Sequence, residues 1–322
     1  LLFNRRALWQ RERLPGLAAG GAILLAALAV EGWRIDALPG FGEGGGAPYF
    51  AAWSQQIGEL ASVPPWDGTI LRWVGWGIWL APVLLLLPRR EAELDGPLCR
   101  AQAVLVVAVW ALTCWQVRWG YFLPLVLALS VPGQLGAFSP RWRPVAAAGL
   151  VVALWPLFGE WRERLHPPAD QAAARAEARE DTQLLRETAE FIGRASADNH
   201  SPVRGILAPW WQCPSLVYWS GQPAVAGSSH ESLPGTVDTA RFYLETDARA
   251  AADLLRERQV RWVVAYEPER VLAATAAPLL GRTVPPRCLG NVLYSHPERA
   301  PTFLRLAMVN PYFKVYETQL SP

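Results

Sequence analysis

The sequence is short of charge, of cysteine and, almost completely, of lysine. Charged residues make up 18% of its 322 positions, against roughly 25% in an average soluble domain. Hydrophobic residues make up 52%, which excludes disorder, since that needs low hydrophobicity together with high charge. Thirty basic residues stand against 28 acidic ones, a formal charge of +2. That near balance excludes the clustered basic face through which nucleic acid is usually bound. Four cysteines over this length exclude a disulfide scaffold. Lys314 is the single lysine, and the dominance of Arg reads as codon bias. There is no P-loop, no HExxH, no CxxC, no GxSxG nucleophile elbow and no Asp-x-Asp. The acidic cluster Glu91, Glu93 and Asp95 reads as a solvated loop, and His230, without a spaced partner, as a structural or surface histidine.

What is present is unevenly spread. Thirteen of the 17 Trp lie in residues 1–165, which hold only 11 of the 28 acids. Five apolar stretches stand out there: Leu14–Val30, Trp73–Leu87, Ala101–Val117, Tyr121–Phe138 and Pro144–Phe158. Each lies at or just below the roughly 17–25 residues of a spanning helix. The expected fold class is therefore an α-helical transmembrane bundle of about five spans, followed by a small extracytoplasmic α/β domain. The expected domains are 1–165, with a long outer loop at 34–70, and 166–322. Cytoplasmic loops are enriched in Arg and Lys. Arg5, Arg6, Arg11, Arg13, Arg89, Arg90, Arg100, Arg141 and Arg143 fall on one side of this scheme. That puts the N-terminus inside and the second domain outside a cytoplasmic membrane; Arg162 and Arg164 weigh slightly against it. The first run lacks a convincing small-residue cleavage site, so it is not read as a signal peptide. The chain starts Leu1-Leu2-Phe3, without Met; whether it is a fragment or a separate truncated relative is open.

Two charged residues in the first half invite a functional reading. Glu59 lies in the outer loop, after the Gly- and Pro-rich stretch Pro39–Pro48 that reads as a mobile segment. Composition favours a solvated loop carboxylate. Arg118 sits between two apolar runs with almost no loop. A charge at such a tight turn needs water or a partner. It either snorkels to lipid headgroups or clamps a phosphate or carboxylate with its fork of donors. The seven Trp near predicted outer helix ends read as interfacial anchors.

Residues 166–182 read as a connector, and an amphipathic helix follows through Leu184, Leu185, Thr188, Phe191 and Ile192. Val203–Ala208 reads as a buried strand and Ala248–Glu257 as a helix with Thr246 or Asp247 as cap. Val260–Tyr266 reads as a strand, and Phe303–Val309 with Phe313–Glu317 as a hairpin about Asn310-Pro311. Cys213 and Cys288 both fall in this domain; whether they pair is open.

At Pro209-Trp210-Trp211-Gln212-Cys213 the sequence resembles the C-terminal domain of oligosaccharyltransferase catalytic subunits, membrane glycosyltransferases of the GT-C class. The family signature there is Trp-Trp-Asp-Tyr-Gly. Ile57-Gly58-Glu59 resembles the family's Thr-Ile-x-Glu motif, and Gln116-Val117-Arg118 its Gln-x-Arg segment. The motifs come in the family's order. The resemblance implies transfer of a sugar from a lipid-diphosphate carrier to an extracytoplasmic protein or glycan acceptor, next to membrane lipid. It implies that Arg118 faces the diphosphate, and that Glu59 helps hold a divalent cation, Mg or Mn, with acids outside this chain. It implies that Trp210, Trp211 and Gln212 stand on the acceptor side. Gln212 departs from the family's Asp, which reads the acceptor hydroxyl, so strict Asn-x-Ser/Thr selection is not expected. The competing expectation is a non-catalytic membrane binding or assembly protein of the same fold. A transporter, which would show paired broken helices, is disfavoured.

Overall fold

The computed structural model describes residues 45–60, 64, 66–79, 96–137, 139–197 and 205–320. The described residues fall into two compact units, one within Ile57–Ala172 and one combining 45–56 with 173–320. The expected first span, Leu14–Val30, lies outside the described residues, as do the end of the second and the cluster Glu91, Glu93 and Asp95.

The first unit is helical. Helix α2 (Gly68–Val74) starts at Asp67, whose side chain accepts from the Thr69 amide at 2.7 Å, as an N-cap should. It ends at Gly75, where φ is +67°. A Cβ there would meet the Ala153 carbonyl oxygen at 2.6 Å, so only glycine fits. Helix α3 (Gly96–Trp115), a 3-10 turn (Val117–Tyr121), α4 (Phe122–Ala137), α5 (Arg143–Ala153) and α6 (Trp155–Leu165) follow. Ile70, Val74, Ile78, Val106, Val109, Val117 and Leu123 form the core, with the Trp110 indole donating to the Ile78 carbonyl at 2.7 Å. Many large apolar side chains face outward, among them Leu125, Leu129, Val145, Val151, Trp155 and Phe158.

The expected five-span bundle is not supported. No single described helix is long and apolar enough to cross a membrane. Helix α4 has 16 residues, about 24 Å at 1.5 Å per residue, short of the roughly 30 Å hydrocarbon layer. One pair passes by length and composition together, Pro140–Ala153 with Trp155–Leu165, and it bends by 45°. The bend has a cause in sequence: Pro156 lacks an N–H and its ring collides with the carbonyl four residues back. The runs Trp73–Leu87 and Pro144–Phe158 were continuous in sequence, but Gly75 and Pro156 cut their helices.

The second unit holds a four-stranded sheet of order β1-β2-β4-β3. Strand β1 (Gly205–Leu207) runs parallel to β2 (Val260–Ala265), and β4 (Lys314–Thr318) is antiparallel to β2 and to β3 (Leu304–Val309). The β3–β4 turn is held by Asn310, whose Oδ1 accepts from the Tyr312 and Phe313 amides at 3.1 and 2.7 Å. Every residue of β2 is buried, as expected of a central strand with both faces covered. Its Arg261 is carried into the interior with a partner, Glu317 of β4, at 3.0 Å. Helix α7 (Ala169–Ala197) lays Leu185, Thr188, Ala189 and Ile192 on the unit's core. The Trp262 indole donates to Ser196 of that helix at 3.0 Å. Helix α10 (Ala248–Glu257) is capped by Asp247, which accepts from the Arg249 amide at 2.8 Å. Cys213 and Cys288 are both buried and form no disulfide.

Candidate functional site

The site lies where the chain leaves the two parallel strands. After β1 the chain passes Ala208 and Pro209 into Trp210 and Trp211, then enters α8 (Cys213–Ser220) with Pro214 in its first turn. After β2 it passes Tyr266 into a π-helix (Glu269–Ala276) and α11 (Ala277–Leu280). Both sets of residues follow the carboxyl ends of parallel strands, where α/β sheets commonly bind ligands. The third wall is α9 (Leu233–Leu244). It approaches the segment after β1 so closely that a Cβ on Gly235 would fall 1.7 Å from the Val225 carbonyl oxygen. Only glycine permits that contact.

These elements enclose a cavity of about 20 Å³ whose lining includes Trp210, Trp211, Thr236, Thr239, Tyr243 and Thr275. That is room for roughly one water-sized group. The Trp210 and Trp211 rings meet edge to face, with centroids 5.8 Å apart at 89°. Trp53, on α1 (Ala47–Ser54), packs its ring 5.8 Å from that of Trp210. Beyond α1, the Gln56 side-chain amide donates to the Thr275 carbonyl at 3.1 Å. The Arg270 guanidinium lies 5.3 Å from the Trp211 ring and 5.9 Å from that of Tyr266. Tyr266 donates to Asp181 Oδ2 at 3.2 Å. Burial raises the Asp181 carboxyl above its ordinary value, against the hydrogen bond from Tyr266 and the charge of Arg270.

Several polar atoms at this end of the sheet are buried without a hydrogen-bond partner among the described residues: the indole N–H groups of Trp53 and Trp210, Thr239 Oγ1 and Gln212 Oε1. Buried polar groups are rarely left so. The Tyr243 hydroxyl, by contrast, donates to the Val264 carbonyl at 2.6 Å. Burial pushes the Cys213 thiol up to about 12, which removes it as a nucleophile near neutral pH.

Of the residues singled out from sequence, Trp210 and Trp211 line the cavity together. Gln212 does not line it. It stands at the N-cap of α8, 3% exposed, its side chain making no cap hydrogen bond. Arg118 and Glu59 belong to the first unit. Arg118 is exposed on the 3-10 turn Val117–Tyr121, with its guanidinium 5.6 Å from the Trp119 ring. Glu59 lies on the 3-10 turn Gly58–Leu60, and the two turns pack against each other. Among the described residues no group of three or more His, Cys, Asp and Glu is placed to hold a metal ion.

Thr236, Thr239, Thr275 and Arg270 were not singled out from sequence, and Trp53, read there as one of the seven interfacial anchors, is 4% exposed and packs on Trp210. Thr236, Thr239, Ala240 and Tyr243 share one helical face, but that spacing describes an ordinary core face equally well.

No protein family's sequence profile matches the chain, and no curated protein matches it. Among solved structures, the chain is similar to the C-terminal globular domain of an oligosaccharyltransferase from Archaeoglobus fulgidus. The likeness has 18% identity and a TM-score of 0.33, and covers 41% of this chain and 94% of that one.

Proposed function

We propose that this chain is part of a membrane glycosyltransferase that moves a sugar from a lipid-diphosphate carrier to a protein or glycan acceptor outside the cytoplasmic membrane. The observation that carries the reading is the pocket. Trp210 and Trp211, singled out by resemblance alone, line one cavity past the ends of two parallel strands, with unpaired polar atoms beside them. Aromatic walls with a few aimed polar groups are the usual make-up of a small-ligand site. In this reading the two indoles form the acceptor wall. Arg118 stabilises negative charge on the departing diphosphate through charge-assisted hydrogen bonds. Arg118 is exposed on its turn, where a ligand can reach its donors. Membrane association is supported by the outward apolar side chains of the first unit and, among the described residues, by one bent helix pair that passes by length and composition together.

Glu59 would lend one carboxylate to a Mg or Mn ion, with further acids from outside this chain. The described residues do not make a cation site by themselves, and no step is derived through one. A second reading, a non-catalytic membrane binding or assembly protein of the same fold, is favoured by Gln212 in place of the family's Asp. The test is transfer by the full-length protein from a lipid-diphosphate sugar. Arg118→Ala should lower the rate by at least 100-fold, corresponding to about 3 kcal/mol, and Arg118→Lys should recover little of it. Equal turnover by wild type and Arg118→Ala would refute the role. No turnover by wild type on any acceptor, with donor binding intact, would support the second reading.

A further inference from the structure

A chain of three side chains runs from the ring of Trp211 into the fold. Arg270, exposed on the π-helix, lays its guanidinium 5.3 Å from the Trp211 ring and donates from Nη1 to the Tyr266 hydroxyl at 3.4 Å. Tyr266 is 5% exposed and stacks on the fully buried Phe313, with ring centroids 5.1 Å apart at 28°. It is a fixed post, and its hydroxyl donates in turn to Asp181 Oδ2 at 3.2 Å. Asp181, on α7, ends the chain. Its other oxygen, Oδ1, is buried without a partner among the described residues.

Asp181 is built unlike the carboxylate that stabilises this unit. Glu317 is held below its ordinary value by hydrogen bonds from Arg305 and Arg261. Asp181 is raised above its ordinary 3.8: burial raises it, the charge of Glu177 one turn back raises it further, and the hydrogen bond from Tyr266 and the charge of Arg270 only oppose this. A raised carboxyl subtracts from stability as pH climbs through its folded-state value. Ionised Asp181 therefore costs the fold stability near neutral pH, and a perturbed group of this kind beside a pocket is a candidate for a functional part. The cation that it attracts is Arg270. The hydroxyl between them stays a donor, since burial and the Asp181 charge both raise Tyr266.

We propose that Asp181 is a positioning residue for this pocket: its carboxylate, acting through the Tyr266 hydroxyl, holds the Arg270 guanidinium against Trp211, and protonation of Asp181 releases Arg270 and loosens that wall. The effect on binding rests on the reading of Trp210 and Trp211 as the acceptor wall; the hold on Trp211 does not. The titratable and charged groups around Asp181 are Glu177 and Glu180 on α7, Tyr266 and Arg270 after β2, and Tyr312 in the β3–β4 turn. An acid titration of Trp211 thus has three carboxylates to tell apart.

The experiment follows the Trp211 resonance by fluorine NMR in the full chain, labelled with 5-fluorotryptophan in detergent and assigned through Trp211→Phe. In wild type the resonance should move in one step as pH falls, with a midpoint above 3.8. Asp181→Asn should abolish the step and show the acid-form position already at pH 7. Tyr266→Phe, which keeps the ring on Phe313 but breaks the relay, should do the same. Glu177→Gln and Glu180→Gln should keep the step. Because Asp181→Asn removes a carboxylate that costs stability, its thermal transition at pH 7 should not fall, which separates the result from misfolding. A second readout is the affinity of two uncharged probes, N-acetylthreonine amide and a methyl hexoside. Losing one cation–π contact at the wall should weaken the bound probe by about two- to fivefold below the step in wild type, and Asp181→Asn should bind it equally weakly on both sides.

If the Trp211 resonance shows no step in wild type, or the step survives in Asp181→Asn, the positioning role is overturned whether or not a probe binds. A lower thermal transition in Asp181→Asn at pH 7 would make the carboxylate a structural one and overturn it equally. If the step is present and Asp181→Asn removes it, but neither probe binds saturably, the hold on Trp211 stands and the acceptor wall falls.

Discussion

Gly235→Ala is a small change with a large expected consequence, because it tests the contact that positions the pocket's third wall. The added Cβ would stand 1.7 Å from the Val225 carbonyl oxygen and 2.7 Å from its carbon. Both are backbone atoms, so no side chain can swing away. Helix α9 must lift by more than 1 Å, or the segment after β1 must retreat. Forced overpacking of this kind costs about 1–3 kcal/mol, and the intrinsic preference of a helix for Ala over Gly offsets at most about 1 kcal/mol of it. A net loss of about 1–2 kcal/mol raises the opening equilibrium by about 5- to 30-fold. Hydrogen exchange across α9 should therefore quicken by that factor, while exchange across α10 changes less. Gly149→Ala is the control. A Cβ at that position would meet no atom within 4 Å, so Ala there should be neutral or slightly stabilising. If α9 in Gly235→Ala exchanges as slowly as in wild type, α9 does not sit against Val225, and the pocket built on that contact is wrong.

Three further outcomes follow from the second unit. Burial works to raise the Glu317 carboxyl, but hydrogen bonds from Arg305 and Arg261 outweigh it and hold it below its ordinary value of 4.5. A depressed carboxylate stabilises the fold above that value and loses its contribution as pH falls through the lower folded-state value. Glu317→Gln should accordingly destabilise at pH 7, leaving Arg261 buried without its charge partner, and lessen the acid sensitivity of unfolding. An unchanged acid limb would remove Glu317 from that role. Cys213 and Cys288 are both buried, and burial raises both thiols, so an alkylating reagent at pH 8 should modify them only on unfolding. Rapid native-state labelling of Cys213 would contradict its place beneath Ala208. Trp53→Ala removes a side chain that is 4% exposed and should release α1, read as new protease cleavage within 45–56; unchanged resistance would show that the Trp53–Trp210 contact contributes little.

How far the fold was legible depended on how local its causes were. Helix α10 was read with its boundaries because Asp247 is a capping residue and the apolar positions fall on one face. Strand β2 was read from its run of Val and Trp, and the β3–β4 turn from Asn310-Pro311. The apolar runs of the first half misled because hydropathy is blind to breaks. Nothing in the hydropathy of 73–87 announces the left-handed turn at Gly75, although Pro156 was a visible reason for α6 to part from α5. Trp210 and Trp211 were legible only as a motif. Thr239 was not, because its distinction is a hydrogen bond it fails to make, and that depends on what α9 faces once Gly235 has brought it against Val225.

The most direct measurement is acceptor affinity and donor affinity, determined separately for the full-length protein and for Trp210→Ala and Trp211→Ala. Loss of a wall indole should weaken acceptor binding by about 10- to 100-fold, or about 1.4–2.7 kcal/mol, and leave the affinity for the lipid-diphosphate sugar within twofold. Unchanged acceptor binding in both variants, or an equal loss for donor and acceptor, would contradict the assignment of this pocket to the acceptor.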